Sequence, residues 1–258
     1  SWAQPGTFHT AALKSPAITG CEKVEFKPAV SVKPDSSQAG QPSGLQVDVK
    51  VPQTNDGSQL ATSHLKDATV TLPKGVTLST ALAEGLTGCT DAQFALHSKA
   101  ADNCPPASKI GTVQIDTPLL EEPMQGAIYS GSQESSDPTS GRMYRIFTTA
   151  EGSGVLIKLE GQIKVDPQTG QITTTFTDNP QLPFTDFSLK FKGGDRAPLV
   201  LPQSCGEYRT VAQFTGYSAP NAPVETWSSF KVDQGCGSQG FNPGFSAGTT
   251  NPIGGSYS

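Results

Sequence analysis

Apolar and polar positions alternate with a period of two in many short runs along the chain. Leu45-Gln46-Val47-Asp48-Val49-Lys50-Val51 is the clearest, and its pattern predicts a half-buried strand. Ala68 to Leu72, Ser108 to Thr117, Gly126 to Ser130, Met143 to Thr148, Val155 to Glu160, Gln162 to Val165, Gln171 to Asp178, Phe187 to Phe191, Val211 to Thr215 and Trp227 to Val232 predict further strands. Val24 to Phe26 and Ala29 to Val32 read as short extended pieces broken by Pro28 and Pro34. Turn chemistry separates the runs: Pro73-Lys74-Gly75, Asp166-Pro167-Gln168-Thr169-Gly170 and Gly193-Gly194-Asp195.

Helical signals cluster in one place. Ser79 is an N-cap residue before Ala81, Leu82 and Ala83, and Gly85 is a stop; Thr90 to Phe94 opens a second turn. The expectation is a mostly β protein, an antiparallel sandwich of one large or two small domains, with a helical insertion around 79–95. Residues 1–19 read as an arm, 20–235 as the β-rich body with any subdomain seam near 120–140, and 236–258 as the opening of a following unit. Gly131 to Gly141, rich in Ser and holding Asp137 and Pro138, reads as a mobile loop.

Composition narrows the function classes. Of 258 residues only 16% are charged, the net charge is -5, and Lys and Arg are scattered. That distribution disfavours nucleic acid and an anionic membrane surface as partners. No apolar run approaches the roughly 20 residues of a spanning helix, so no membrane insertion is expected.

The five cysteines stand at 21, 89, 104, 205 and 236, with no C-x-x-C pair. Cys89 with Cys104 and Cys205 with Cys236 read as local disulfide staples. Such staples place the chain in an oxidising, secreted or cell-surface setting. Cys21 is left over. Gly20-Cys21, Phe26 and Pro28 recur as Gly235-Cys236, Phe241 and Pro243, an offset of 215 residues. The recurrence predicts one repeat plus the start of the next. Cys205–Cys236 then bridges a module boundary, and Cys21 is unpaired because its partner belongs to a neighbouring repeat.

Pro42-Ser43-Gly44-Leu45, Val70-Thr71-Leu72-Pro73-x-Gly75, Ala83-x-Gly85-Leu86-x-x-Cys89 and Cys104-Pro105-x-x-Ser108-Lys109-Ile110-Gly111 resemble the repeat unit of long secreted actinobacterial multi-repeat proteins. Gly161, Asp166-Pro167-x-Thr169-Gly170-Gln171 and Pro180-x-Leu182-Pro183-Phe184 extend the likeness over most of residues 20–258. The resemblance implies a repeat-built extracellular protein and assigns no functional residue.

Candidate chemistry is sparse. His9, His64 and His97 have no metal-binding spacing, so neither a metal nor another cofactor is expected. Ser153 in Glu151-Gly152-Ser153-Gly154 reads as a turn, and no histidine is placed to activate it. Asp166, Asp178, Asp186 and Asp195 sit at turns, and Glu121, Glu122 and Asp137 lie near the 131–141 loop, without an Asp-x-Asp-x-Asp calcium loop. Lys158 and Glu160 interrupt an apolar strand, where a buried lysine would suit a self-made cross-link; exposure is the commoner reading. The expected function is therefore a non-catalytic structural or adhesive module. Its partners would be neighbouring repeats, a cell-wall glycan, or a host or environmental surface. The alternative is an extracellular carbohydrate-active or other hydrolytic domain, and a lipid carrier would require a large apolar cavity.

Overall fold

The computed structural model describes residues 12–80, 85, 87–237 and 243–246. Among them the chain is mostly β, with antiparallel strand pairing throughout both sheets. The strands are β1 (Ala29–Pro34), β2 (Pro42–Ser43), β3 (Leu45–Lys50), β4 (Leu65–Thr71), β5 (Thr77–Leu78), β6 (Lys109–Asp116) and β7 (Met124–Ser130). They continue as β8 (Tyr144–Gly152), β9 (Val155–Val165), β10 (Ile172–Phe176), β11 (Asp186–Phe191), β12 (Leu199–Val200), β13 (Gly206–Gly216) and β14 (Val224–Val232).

Eleven of them form one sheet in the order β1-β3-β11-β6-β7-β8-β9-β10-β4-β13-β14. The sheet curls until β1 packs along β14. Val32 N donates to Ser228 Oγ at 3.0 Å, and Asp233 N donates to Ser37 O at 3.0 Å. Both pairs are 196 residues apart in sequence, so the two edges run in the same direction. The architecture is a nearly closed barrel, which corrects the sandwich expectation. Strict period-two alternation fits either arrangement, because both have one apolar face. Strands β6, β7 and β8 are consecutive neighbours in this sheet.

The small sheet β2-β12-β5 lies at the end where β3 begins. It brings Leu199 beside Ser43 and Leu78. The other end carries the loops 51–64, 117–123 and 177–185 and the Ser153-Gly154 hairpin turn, where both residues take left-handed backbone angles (φ 50° and 79°).

Inward side chains alternate along each strand: Leu45, Val47 and Val49 on β3, Ile146 and Ala150 on β8, Ala212 and Phe214 on β13. Two differences from the sequence reading concern β9 and the helix. Gly161 continues β9 for 11 residues as one strand, where two were expected. A Cβ there would collide with Ile146 and Phe176, so the glycine serves a close approach. The described helix is one turn, α1 (Asp91–Phe94), capped reciprocally by Thr90 and Gln93. The expected helix on Ala81, Leu82 and Ala83 lies outside the described residues, as do most of the arm and of the segment after 237.

Candidate functional site: an apolar chamber inside the sheet

Eleven strands enclose more space than their own side chains fill; about eight is the number whose interior side chains just occupy. The consequence shows on β9. Ile157, Leu159, Ile163 and Val165 point to the inside, yet each is only half-buried. Val70, Phe176, Phe187 and Phe191 share that state. Most of them pack against the buried core, and they border a hollow beside it.

The hollow has two chambers. The larger, about 740 Å³, lies toward the capped end, between Leu45, Leu72, Ile110, Ile146, Ile163, Ile172 and Phe191. Its volume falls within the usual 300–1,000 Å³ of small-molecule sites. Ser79, Thr80, Ser130, Ser132, Gln133 and Tyr144 give it a polar margin. The smaller, about 160 Å³, lies toward the loop end, among Val49, Leu65, Ile115, Met124, Ile157 and Leu159. Val47, Val70, Phe176 and Leu189 line both chambers and stand between them. Among the described residues neither wall contains Asp, Glu, His or Cys.

The outer face over β7, β8 and β9 carries the insertion. Cys89 bridges to Cys104 with their Cα atoms 5.1 Å apart. Phe94 stacks on Phe147 with ring centroids 4.5 Å apart, and both are fully buried. Lys158 Nζ donates to the carbonyls of Phe94 (2.6 Å), Ala95 (3.0 Å) and Ala100 (2.7 Å). Lys158 is thus neither exposed nor aimed at a carboxylate; its amine ties the insertion to the barrel. The Tyr129 hydroxyl is pushed up to about 12 by burial and by its hydrogen bond to Asp102.

Arg145 is the hub of this face. Its side chain is 1% exposed and reaches Asp91 (2.9 Å), Glu134 (2.9 Å) and Glu160 (3.0 Å). It also donates to Ser132 O at 3.0 Å. Glu134 pairs in addition with Arg142, and Asp137 Oδ1 accepts from Thr139 N at 2.8 Å, so residues 131–141 are tied to the barrel instead of standing free.

The remaining sequence candidates are dispersed. Cys205 bridges to Cys236 (Cα atoms 5.6 Å apart), and Cys21 is free and exposed. Asp166 closes its turn by accepting from Thr169 N and Oγ1 at 2.7 and 2.8 Å, bonds that hold its carboxyl below the ordinary value of 3.8. Asp178 binds Lys66 at 2.8 Å. Asp195, Glu121 and Glu122 are exposed. His64 Nδ1 is buried without a protein partner, His97 lies in the insertion, and His9 lies outside the described residues. Ser153 occupies the β8–β9 turn. No group of three or more His, Cys, Asp or Glu side chains suited to a metal occurs among the described residues.

Asp186 stands directly across from Lys50 on β3 and Asp116 on β6. Burial raises its pKa above 3.8, with Asp48 and Asp116 adding to the effect and Lys50 (3.3 Å) opposing it.

The interior was partly legible in the sequence. The apolar phase of β9 was readable; that its side chains face a hollow was not, because strand number and closure set the interior volume.

No family model matches the chain, and no curated protein matches it. Among solved structures, "Crystal structure of BslA - A bacterial hydrophobin" aligns over 81% of this chain and 99% of its own, at 11% identity and a TM-score of 0.34. A likeness that low carries no argument about function.

Two outcomes follow for the outer face. Arg145→Met leaves three carboxylates without their shared cation and is expected to cost about 3 kcal/mol in chemical denaturation, the lower end for a broken buried ion pair because its partners are partly solvated. Asp186→Asn is expected to melt higher than the wild type at pH 7. A raised native pKa means the folded state prefers the proton, so ionisation costs stability above the native value. The margin between the two proteins disappears below about pH 3.8, where both states are protonated.

Proposed function

We propose that this chain is a non-catalytic extracellular binding module whose barrel interior takes a chain-like apolar ligand, such as an acyl chain. The observation that carries the reading is the hollow itself: inward aliphatic and aromatic side chains line about 740 Å³ of unfilled space. Removing apolar surface from water is worth about 25 cal/mol per Å², so a cavity walled this way favours an aliphatic occupant over a polar one. The polar margin at Ser130, Ser132, Gln133 and Tyr144 suits the polar end of an amphipathic ligand. Among the described residues the walls hold no carboxylate, histidine or cysteine, which favours binding over hydrolysis. The disulfides Cys89–Cys104 and Cys205–Cys236 support an oxidising, extracellular setting.

A second feature bears on the module's surroundings. Gly20 and Gly235, each just before a cysteine of the recurrent segment, both hold left-handed backbone angles (φ 84° and 69°). The matched conformation supports equivalence of the two segments. On this reading neighbouring repeats of one extracellular protein are the module's structural partners, and a cell-wall glycan or another surface is the target of the assembly.

The ligand reading is tested with N-phenyl-1-naphthylamine, whose fluorescence rises on entering an apolar site. Saturable uptake at about one dye per chain, displaced by palmitate, is expected. Ile163→Trp and Leu159→Trp fill the hollow and are expected to abolish uptake while keeping a cooperative melt. A folded wild type that takes up no dye overturns the reading. For the repeat reading, native maleimide labelling is expected to modify one thiol, mapped to Cys21; a bridge from Cys21 to Cys89 or Cys205 overturns it.

A further inference from the structure

The two ends of the hollow differ. At the capped end the margin is polar. At the loop end the chamber wall continues outward through Leu119 and Leu120 on the β6–β7 loop, Val155 beside the β8–β9 turn, and Leu182 on the 177–185 loop. Three of these are well exposed: Leu119 at 64%, Leu182 at 40% and Val155 at 39%. Scattered exposed aliphatics need no explanation, but these stand together around one opening, on three separate loops. Their side chains are continuous with the interior lining.

We infer that this rim docks on an uncharged lipid surface and connects the acyl layer to the chamber; the inference rests on the interior being an acyl-chain site. Apolar side chains presented on a few loops can enter the headgroup–acyl boundary, with affinity set by the area they bury. Charge decides which surface. The rim loops carry Asp116, Glu121, Glu122, Glu151 and Asp178, and within 116–123, 151–155 and 178–184 there is no Lys or Arg. Asp178 is paired with Lys66, and the remaining acidic groups disfavour anionic headgroups, so burial of the leucines supplies the affinity. A chain leaving the acyl layer meets Leu119 and Leu182 and then the wall of Ile157 and Leu159; Thr117 and Asn179 also line this chamber, and Val47, Val70, Phe176 and Leu189 stand between it and the larger one.

The experiment is co-sedimentation of the full chain with phosphatidylcholine vesicles, beside dye uptake in vesicle-free solution. Binding is expected, and Leu119→Asp with Leu182→Asp is expected to reduce it about 10-fold or more, since each leucine contributes roughly 1.5–3 kcal/mol when fully buried. Adding phosphatidylglycerol to the vesicles is expected to weaken binding, and high salt to relieve that weakening. The double variant is scored on vesicle binding, with a cooperative melt expected to show that it is folded. Uptake of dye by a wild type that ignores phosphatidylcholine overturns the docking inference and leaves the interior site standing. No uptake at all overturns the interior site. Vesicle binding unaffected by the two substitutions, or stronger to anionic vesicles, overturns the docking role of the rim. So does a dimer in sedimentation that Leu119→Asp dissociates, since the rim then belongs to a second copy of the chain.

Discussion

The seam between β1 and β14 is the contact on which the interior depends. Strands from opposite ends of the chain meet there, held by Val32 to Ser228, Ser37 to Asp233, and Ala39 N to Gln234 O at 2.8 Å. It is not a full ladder. Toward β14, β1 offers the single described bond from Val32 N, to a side-chain hydroxyl, while its opposite edge pairs with β3 from Ala29 to Pro34. The partners are 195 or 196 residues apart, and curvature of the sheet delivers them to each other. Were the seam to open, the hollow would become a concave face exposed to water, with the aliphatic wall of β9 and β10 uncovered.

Closure carries a penalty that the rest of the molecule offsets. A sheet of eleven strands cannot fill its own middle, so Ile157, Leu159 and Phe176 lose packing that a core would provide. Compensation lies outside the sheet. Over β7, β8 and β9, the Cys89–Cys104 loop, the Phe94–Phe147 stack and the Arg145 ion pairs make a second apolar and ionic layer. A three-strand cap then covers one end through Leu199 and Leu78. The layer also fixes the strands that border the larger chamber, since Ser132 and Arg145 belong both to that layer and to the chamber margin.

The division of chemistry within the molecule follows from this layout. Ionisable side chains lie on the outer face or on loops, where Arg145, Lys158 and Asp186 meet partners across strands. The inner face is mainly aliphatic and aromatic, with Thr174 on β10 and the polar margin of the larger chamber as exceptions.

Strand positions were readable from the chain because period-two alternation is a local property. Leu45 to Val51 and Phe187 to Phe191 mark which side faces inward wherever their neighbours lie. The Thr90–Gln93 cap is equally local, as is the Asp166–Gly170 turn. The sandwich expectation failed for the opposite reason: whether an amphipathic sheet folds over another or closes upon itself depends on strand number, curvature and which edges meet. Nothing near Val32 announces Ser228. Lys158 likewise reads as exposed or cross-linked until the insertion is laid across β9 and three carbonyls converge on its amine. Local alternation marks which side chains avoid water. Only the tertiary structure decided that on β9 and β10 they avoid it around an empty space, because volume is a property of the closed sheet and of no single strand.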